Sequence, residues 1–314
     1  MESDLGSLPR IDADALAHLL PMDRAVQVLD HTLRGDTSWL DASAPRTVAE
    51  VPAGQLLFMP AQLGRYAGVK LASVAPGNAS RNLPRINAIY VLLDAETLIP
   101  VALMDGTALT SLRTPAVSAV AVDHLAAPEA SRLVVFGTGP QALGHVEAVR
   151  AVRPITHVGV VGRHAGRRDA FLEQCARAGL EASAVGPDAV ADADVIACCT
   201  TAREPLFAGE LVPGHATVVA MGSHEPEARE VDSGLVRRST LVVESRAAAL
   251  NEAGDVIIPL GEGAFRTDHI AGDLAGLVSG KVAVEPGRPR LFKGVGMAWQ
   301  DLAVASAAYE ASRS

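Results

Sequence analysis

Apolar residues recur along this chain with two different periods, and the change from one to the other divides it. Between Pro21 and Arg34, Ala25, Val28, Leu29 and Leu33 fall at helical spacing, with Pro at the entry and Gly35 past the last turn, so this stretch predicts a helix. From Thr47 to Asp105 the pattern shortens to apolar runs such as LLFMPA, GVKLASV, INAIYVLLD and IPVALMD, separated by Gly, Pro and Asn. These predict antiparallel strands, the last two forming a hairpin around Ala95, Glu96 and Thr97. Thr107 to Leu125 predicts a long Ala-rich helix stopped by Pro128. After Ala130 the rhythm becomes strand, loop, helix, with strands expected from Arg132, His157, Glu181, Asp194, Ala216 and Thr240. Six alternating units of this kind predict a doubly wound parallel α/β sheet. The last run, GMAWQDLAVASAAYEA from Gly296, predicts an amphipathic helix that returns to the N-terminal part and makes that domain discontinuous.

Length agrees with two domains, because 314 residues exceed what one core usually supports. No apolar run approaches the roughly 20 residues that span a bilayer. The N-terminus, MESDLGSLPR, carries acidic residues where a secretory signal is basic, so cytoplasmic residence is the expectation. Cys175, Cys198 and Cys199 form neither a disulfide framework nor a zinc pattern, and the histidines lack metal-ligand spacing; no metal is expected. A formal charge of -9 argues against nucleic acid as a partner. Only Lys70, Lys281 and Lys293 are lysine, against a background of arginine, and lysine is the cation whose charge can be titrated by its surroundings.

The stretch LVVFGTGPQALGH, 133–145, has the context of a dinucleotide-binding turn: an apolar strand, then Gly137, Thr138, Gly139, Pro140, Gln141 and Ala142, then a helical run. Gly137 permits the tight turn, Gly139 lets backbone approach a pyrophosphate, and Ala142 packs helix on strand. About 20 residues on, an acidic residue usually holds the ribose 2'-hydroxyl of NAD. Here Gly162 is followed by Arg163 and His164, with Arg167 and Arg168 close behind, so NADP(H) is expected over NAD(H), which stays possible. A solvated basic helix start is the competing reading of the same residues.

Beyond that turn, APRTV (44–48), GVKLAS (68–73), MDGTALTSLRTPAVSAVA (104–121), FGTGPQA (136–142), AMGSHEPEAREVD (220–232), AALNEAGDV (248–256) and LFKGVGMAWQDLA (291–303) resemble the ornithine cyclodeaminase and mu-crystallin family. The resemblance covers nearly the whole chain. It implies a substrate-binding and dimerisation domain over 1–118, completed by the helix of 296–314, and an NAD(P)-binding Rossmann domain over 119–295. It also implies a homodimer and a small α-imino or α-amino acid as substrate. The reactions implied are imino-acid reduction, of ketimine or pyrroline-2-carboxylate type, or cyclodeamination of ornithine to proline and ammonia with bound NAD. A nucleotide-dependent binding protein for a small ligand is the alternative outside catalysis.

Residue by residue, the resemblance assigns substrate binding to Arg46, Lys70 and Arg113. Two guanidinium groups suit a carboxylate, and a lysine in an apolar run suits proton transfer to the substrate nitrogen. Thr114, Met221, Gly222 and Gly296 join the turn residues as expected nucleotide contacts, with Lys293 and Gly296 in a segment over the nicotinamide. One departure bears on the reaction. His224 stands where cyclodeaminases carry an acid/base aspartate, which favours the reductase, with His224 as a second candidate catalytic group and Glu225 beside it as partial compensation. Glu252 and Asp255 read as solvated carboxylates around a helix-ending Gly254, and Asp301 as an ordinary helix residue.

Overall fold

The structure, a computed structural model, describes residues 6–40, 45–81 and 83–313. Residues 1–5, behind the reading of the N-terminal charge, and Ala44 of the APRTV motif lie outside the described residues. Chain contacts define two compact units, one made of Met1–Arg113 with Met297–Ser314, the other of Thr114–Gly296.

The first unit opens with β1 (Arg10–Ile11), α1 (Ala13–Leu19), α2 (Met22–Arg34), β2 (Thr47–Val51), β3 (Gly54–Leu63), β4 (Tyr66–Val74), β5 (Ile86–Asp94) and β6 (Pro100–Asp105). The chain then passes into the second unit within α3 (Gly106–Leu125), just ahead of its internal Pro115. There follow β7 (Arg132–Phe136), α4 (Pro140–Val152), β8 (His157–Val161), α5 (Ala165–Arg177), β9 (Glu181–Ala184), β10 (Val195–Cys198) and β11 (Thr217–Ala220). Next come α6 (Ser233–Arg238), β12 (Thr240–Val243), α7 (Arg246–Glu252), α8 (Gly254–Gly261), β13 (Ile270–Asp273), α9 (Leu274–Val278) and β14 (Arg290–Lys293). Finally α10 (Ala298–Ala311) belongs to the first unit.

In the first unit, among the described residues, the sheet runs β1-β6-β5-β4-β3-β2, antiparallel apart from β1 against β6. The predicted hairpin joins β5 to β6. Two-residue β1 is too short to leave a period in the sequence. Strand alternation gives the sheet two unlike faces. Met59, Lys70, Tyr90 and Met104 share one cross-strand row and are all buried. Here α10 packs on β3, β4 and α2, with Trp299 edge-on to Trp39 at 5.7 Å and Tyr309 edge-on to Tyr66 at 5.9 Å. The neighbouring row, Phe58, Leu71 and Ile89, lies on the opposite face, where Phe58 is 39% and Ile89 54% exposed.

In the second unit, among the described residues, eight strands run in the order β13-β12-β14-β11-β10-β7-β8-β9, every neighbouring pair parallel. This is the doubly wound sheet that the alternation predicts. The chain winds from β7 outward through β8 to β9, then crosses to β10 on the other side of β7, which makes the β7/β10 pair the topological switch point. Two strands go beyond the six expected: β13 at one edge and β14, which slots between β11 and β12. Both are four residues long, and RLFK has neither alternation nor a long apolar run to mark it. Val134, Phe136, Ile196, Val218, Leu241 and Leu291 fill the core. No helix of the described residues is long and apolar enough to cross a membrane.

Candidate active site

Each unit carries its own constellation. In the first, β4 and α3 hold two of the expected cations against a carboxylate that the sequence reading passes over. Lys70 is 2% exposed, and its Nζ donates to Asp301 Oδ2 at 2.7 Å and to Thr110 Oγ1 at 3.1 Å. Arg113 Nε donates to the other oxygen of Asp301 at 3.3 Å, and its Nη1 donates to Gln300 Oε1 at 3.0 Å. Asp301 is therefore no ordinary helix residue: it is wholly buried in α10 and is shared by two cations. The first turn of α3 is fixed by Asp105, whose Oδ1 accepts from the amides of Thr107 and Ala108, and this sets Thr110 and Arg113 one and two turns on.

Burial pushes the Lys70 ammonium down to about 8; Asp301 opposes the fall, while the charges of Arg113 and Arg46 add to it. Arg46 is thus close enough for Lys70 to feel it, from the segment just before β2. The structure brings Arg46, Lys70 and Arg113 into one electrostatic neighbourhood, with Lys70 and Arg113 both held by Asp301. Tyr90, directly across from Lys70 on β5, points its buried hydroxyl over Gly68, where a Cβ would meet it at 2.3 Å. Its pKa is raised, by burial and then by the charge of Asp301.

In the second unit the expected nucleotide residues lie at the C-terminal ends of the parallel strands. Gly137 follows β7 with φ of 111°, and a Cβ there would lie 2.6 Å from the carbonyl oxygen of Cys199, which follows β10. Only glycine fits this turn at the switch point. Gly139 caps α4 with Pro140 at its first position, no side chain satisfies the cap, and no acidic residue stands in the first turn. A Cβ on Gly139 would meet nothing within 4 Å. Open space before uncapped helix amides is what a pyrophosphate requires. Ala142 is buried, as close helix packing demands. Behind this turn His145 is fully buried; its Nδ1 donates to the Gln141 carbonyl at 2.7 Å and its Nε2 accepts from Ser118 Oγ at 2.8 Å.

The end of β8 offers no carboxylate. Arg163, His164 and Arg167 are exposed there, and the stem of Arg168 lies against Gly162, where an added Cβ would also crowd the Thr138 methyl at 2.7 Å. Thr114 is buried in α3. Met221 lies against Gly294, after β14.

Buried acids that the sequence reading misses order the remaining loops. Glu230 accepts from the amide and hydroxyl of Thr200 and from the amide of Gly222, each at 2.7 Å, clamping the segments after β10 and β11 together. Burial raises its pKa against the charge of Lys293. Glu244 Oε2 accepts from the amides of Val295 and Gly296 at 3.0 and 2.7 Å. Asp255 is buried, not solvated: its Oδ1 accepts from the amides of Glu230 and Val231, and Oδ2 is 3.0 Å from Lys293 Nζ. Gly254 begins α8 instead of ending a helix. Lys293 likewise turns inward, donating to the Ala220 and Ser223 carbonyls, so its ammonium is a structural tie. His224 is exposed on the segment after β11, and Glu225 is held by Arg203 at 2.7 Å.

The family model for the ornithine cyclodeaminase/mu-crystallin family matches residues 13–314. Over 249 residues the chain is 38% identical to a Delta(1)-pyrroline-2-carboxylate reductase of Bacillus cereus, covering 77% of this chain and 76% of that protein. It is 35% identical over 312 residues to Delta(1)-pyrroline-2-carboxylate reductase 2 of Burkholderia ambifaria, covering 98% and 97%. Among solved structures, the Delta(1)-pyrroline-2-carboxylate reductase of Thermococcus litoralis, in complex with NADH and L-proline, superposes with a TM-score of 0.91 at 32% identity over 98% of each chain. With the glycine turn at the switch point of one unit and the cation cluster in the other, this chain belongs to the ornithine cyclodeaminase/mu-crystallin family.

Proposed function

We propose that the chain is an NAD(P)H-dependent reductase of small α-imino acids, with Δ1-pyrroline-2-carboxylate as substrate and proline as product. The observation that carries this reading is the buried Lys70–Asp301–Arg113 cluster, in a chain with relatives from Bacillus cereus and Burkholderia ambifaria named for that reaction. A substrate carboxylate beside this cluster would be bound by the guanidinium groups of Arg46 and Arg113. Lys70, with its pKa near 8, is charged at neutral pH and close enough to its titration to give up a proton to the imine nitrogen. A bound nicotinamide nucleotide would supply the hydride. Gly137, Thr138, Gly139, Pro140, Gln141 and Ala142 would hold its pyrophosphate, with Thr114, Met221, Gly222 and Gly296 as further contacts.

NADPH is the preferred reductant in this reading, supported by Arg163, His164 and Arg167 at an end of β8 that lacks a carboxylate. The exposed His224 has no proton-transfer duty in it, and the engagement of Glu225 by Arg203 weighs against cyclodeamination. The apolar open face around Phe58 and Ile89 supports a homodimer that buries it, in agreement with the family resemblance. The experiment is oxidation of NADPH and of NADH followed at 340 nm with pyrroline-2-carboxylate and its six-membered homologue. Turnover with proline formed is the expected result. No turnover across the imines, or ammonia and proline released from ornithine without net cofactor consumption, overturns the reading.

A further inference from the structure

Lys70 and Lys293 are both buried, and their partners differ in a way that bears on the reaction. Lys293 is ringed by two backbone carbonyls and the Asp255 carboxylate. Lys70 has two partners among the described residues, Asp301 and Thr110. The Thr110 hydroxyl donates its single proton to the Gly106 carbonyl at 2.8 Å, so toward Lys70 it only accepts. Asp301, as a carboxylate, also only accepts. Two N–H directions of Lys70 are thereby fixed, and both are kept when the ammonium becomes a neutral amine, which still has two N–H bonds. The third direction is the one that alternates between an N–H and a lone pair.

Resting on the reductase reading above, we propose that Asp301 and Thr110 are positioning residues that lock two of the three Lys70 protons and leave one to exchange with substrate nitrogen. As the imine carbon accepts a hydride, the C=N electron pair settles on nitrogen, and that nitrogen takes the third proton of Lys70. The lysine is left as a neutral amine and regains a proton from water. Neither anchoring bond breaks during the transfer. The groups facing Lys70 are Asp301 from α10, Thr110 and Arg113 from α3, Tyr90 from β5, and Arg46 from before β2. Among these charges Asp301 alone favours the ammonium, so it governs how readily that proton leaves. Its second oxygen is held by Arg113, itself held by the neighbouring Gln300, which fixes the carboxylate in rotation.

The test uses [13C,15N]lysine-labelled protein, in which only three lysines contribute, with the Lys70 resonance identified in a Lys70→Arg variant. Titration of its Cε shift is compared with the alkaline limb of kcat/KM for pyrroline-2-carboxylate in NADPH oxidation, which reports the groups of the enzyme before the imino acid binds. The expected wild-type midpoint is about 8 in both. Asp301→Asn is expected to raise the acid constant of Lys70 at least tenfold and to move the kinetic limb with it, and Asp301→Glu to restore most of the shift. Thr110→Val is expected to lower kcat severalfold with little change in KM for the imino acid, and Thr110→Ser to recover it. A Lys70 midpoint unchanged in Asp301→Asn, or a kinetic limb that stays put while the resonance moves, overturns the proposal. Should Asp301→Asn fail to fold, wild-type kcat in Thr110→Val overturns it instead. Wild-type protein without imine turnover overturns the reductase reading, while the resonance titration still decides whether Asp301 holds Lys70.

Discussion

His145 closes the glycine-turn segment, and its burial predicts a pH-dependent weakness in the nucleotide-binding unit. The imidazole is wholly buried, and its pKa is pushed from 6.5 down to about 4 by burial, against the pull of the Gln141 carbonyl. Protonation need not break the bond to Ser118, because the hydroxyl can rotate and accept. What it costs is a charge inside an apolar interior. In the unfolded chain the imidazole binds its proton near pH 6.5, whereas the folded protein resists until about pH 4, so the unfolded state holds more protons in between. Stability from this group is fully present above pH 6.5 and is lost as pH falls toward 4. At about 1.4 kcal/mol per pH unit, the loss is roughly 2 kcal/mol at pH 5 and about 3 kcal/mol near pH 4. The assay is urea unfolding of wild type and His145→Gln at pH 7.5 and pH 5, because other titrating groups cancel in the difference between the two proteins. Wild type should lose about 2 kcal/mol of its advantage on acidification. An advantage that does not change with pH would refute the claim that the ring is neutral in the fold.

Three further predictions address other parts of the molecule. Gly137→Ala puts a Cβ at a φ of 111° and 2.6 Å from the Cys199 carbonyl oxygen. It should cost about 2 kcal/mol or more and abolish the thermal stabilisation given by NADPH, and a variant that melts where the wild type melts and is still raised by NADPH would contradict it. Arg163→Ala should lower kcat/KM for NADPH about tenfold while leaving NADH nearly untouched, since a charge-assisted bond to the 2'-phosphate is lost; equal loss for both nucleotides would assign Arg163 no part in the choice. Ile89→Glu, placed in the exposed apolar row, should convert a dimer into monomer by light scattering, and a monomeric wild type would remove the dimer.

The second unit was legible because a parallel sheet writes itself into sequence as repeated apolar runs followed by glycine-rich turns. Arg132 to Phe136, Gly137 and Gly139 announced a strand, a turn and a helix start together. β14 was not legible, because RLFK is short and sits between β11 and β12, out of chain order, so its burial comes from neighbours distant in sequence. Lys70 was legible for a related reason. It interrupts an apolar run on β4, and alternation put it on one of two faces without saying which; the face covered by α10 is the one it takes.

Asp301 shows where such reading stops. In WQDLAVA it looks like the polar side of the amphipathic helix that the sequence predicts, but α10 has no strong amphipathic stripe, and Gln300 and Asp301 are buried along with its apolar residues. Burying a lone carboxylate is so costly that sequence reading rightly defaults to exposure. The default fails when the counter-charge is supplied from elsewhere in the chain, here from Lys70 and Arg113, which lie 231 and 188 positions away. The same holds for Asp255 with Lys293 and for Glu230 with the amides of Thr200 and Gly222. Asp301 and Asp255 were misjudged, and Glu230 went unread, because the partners of each lie elsewhere in the chain, so a rare lysine inside an apolar run is itself the signal to search the remaining chain for a buried carboxylate.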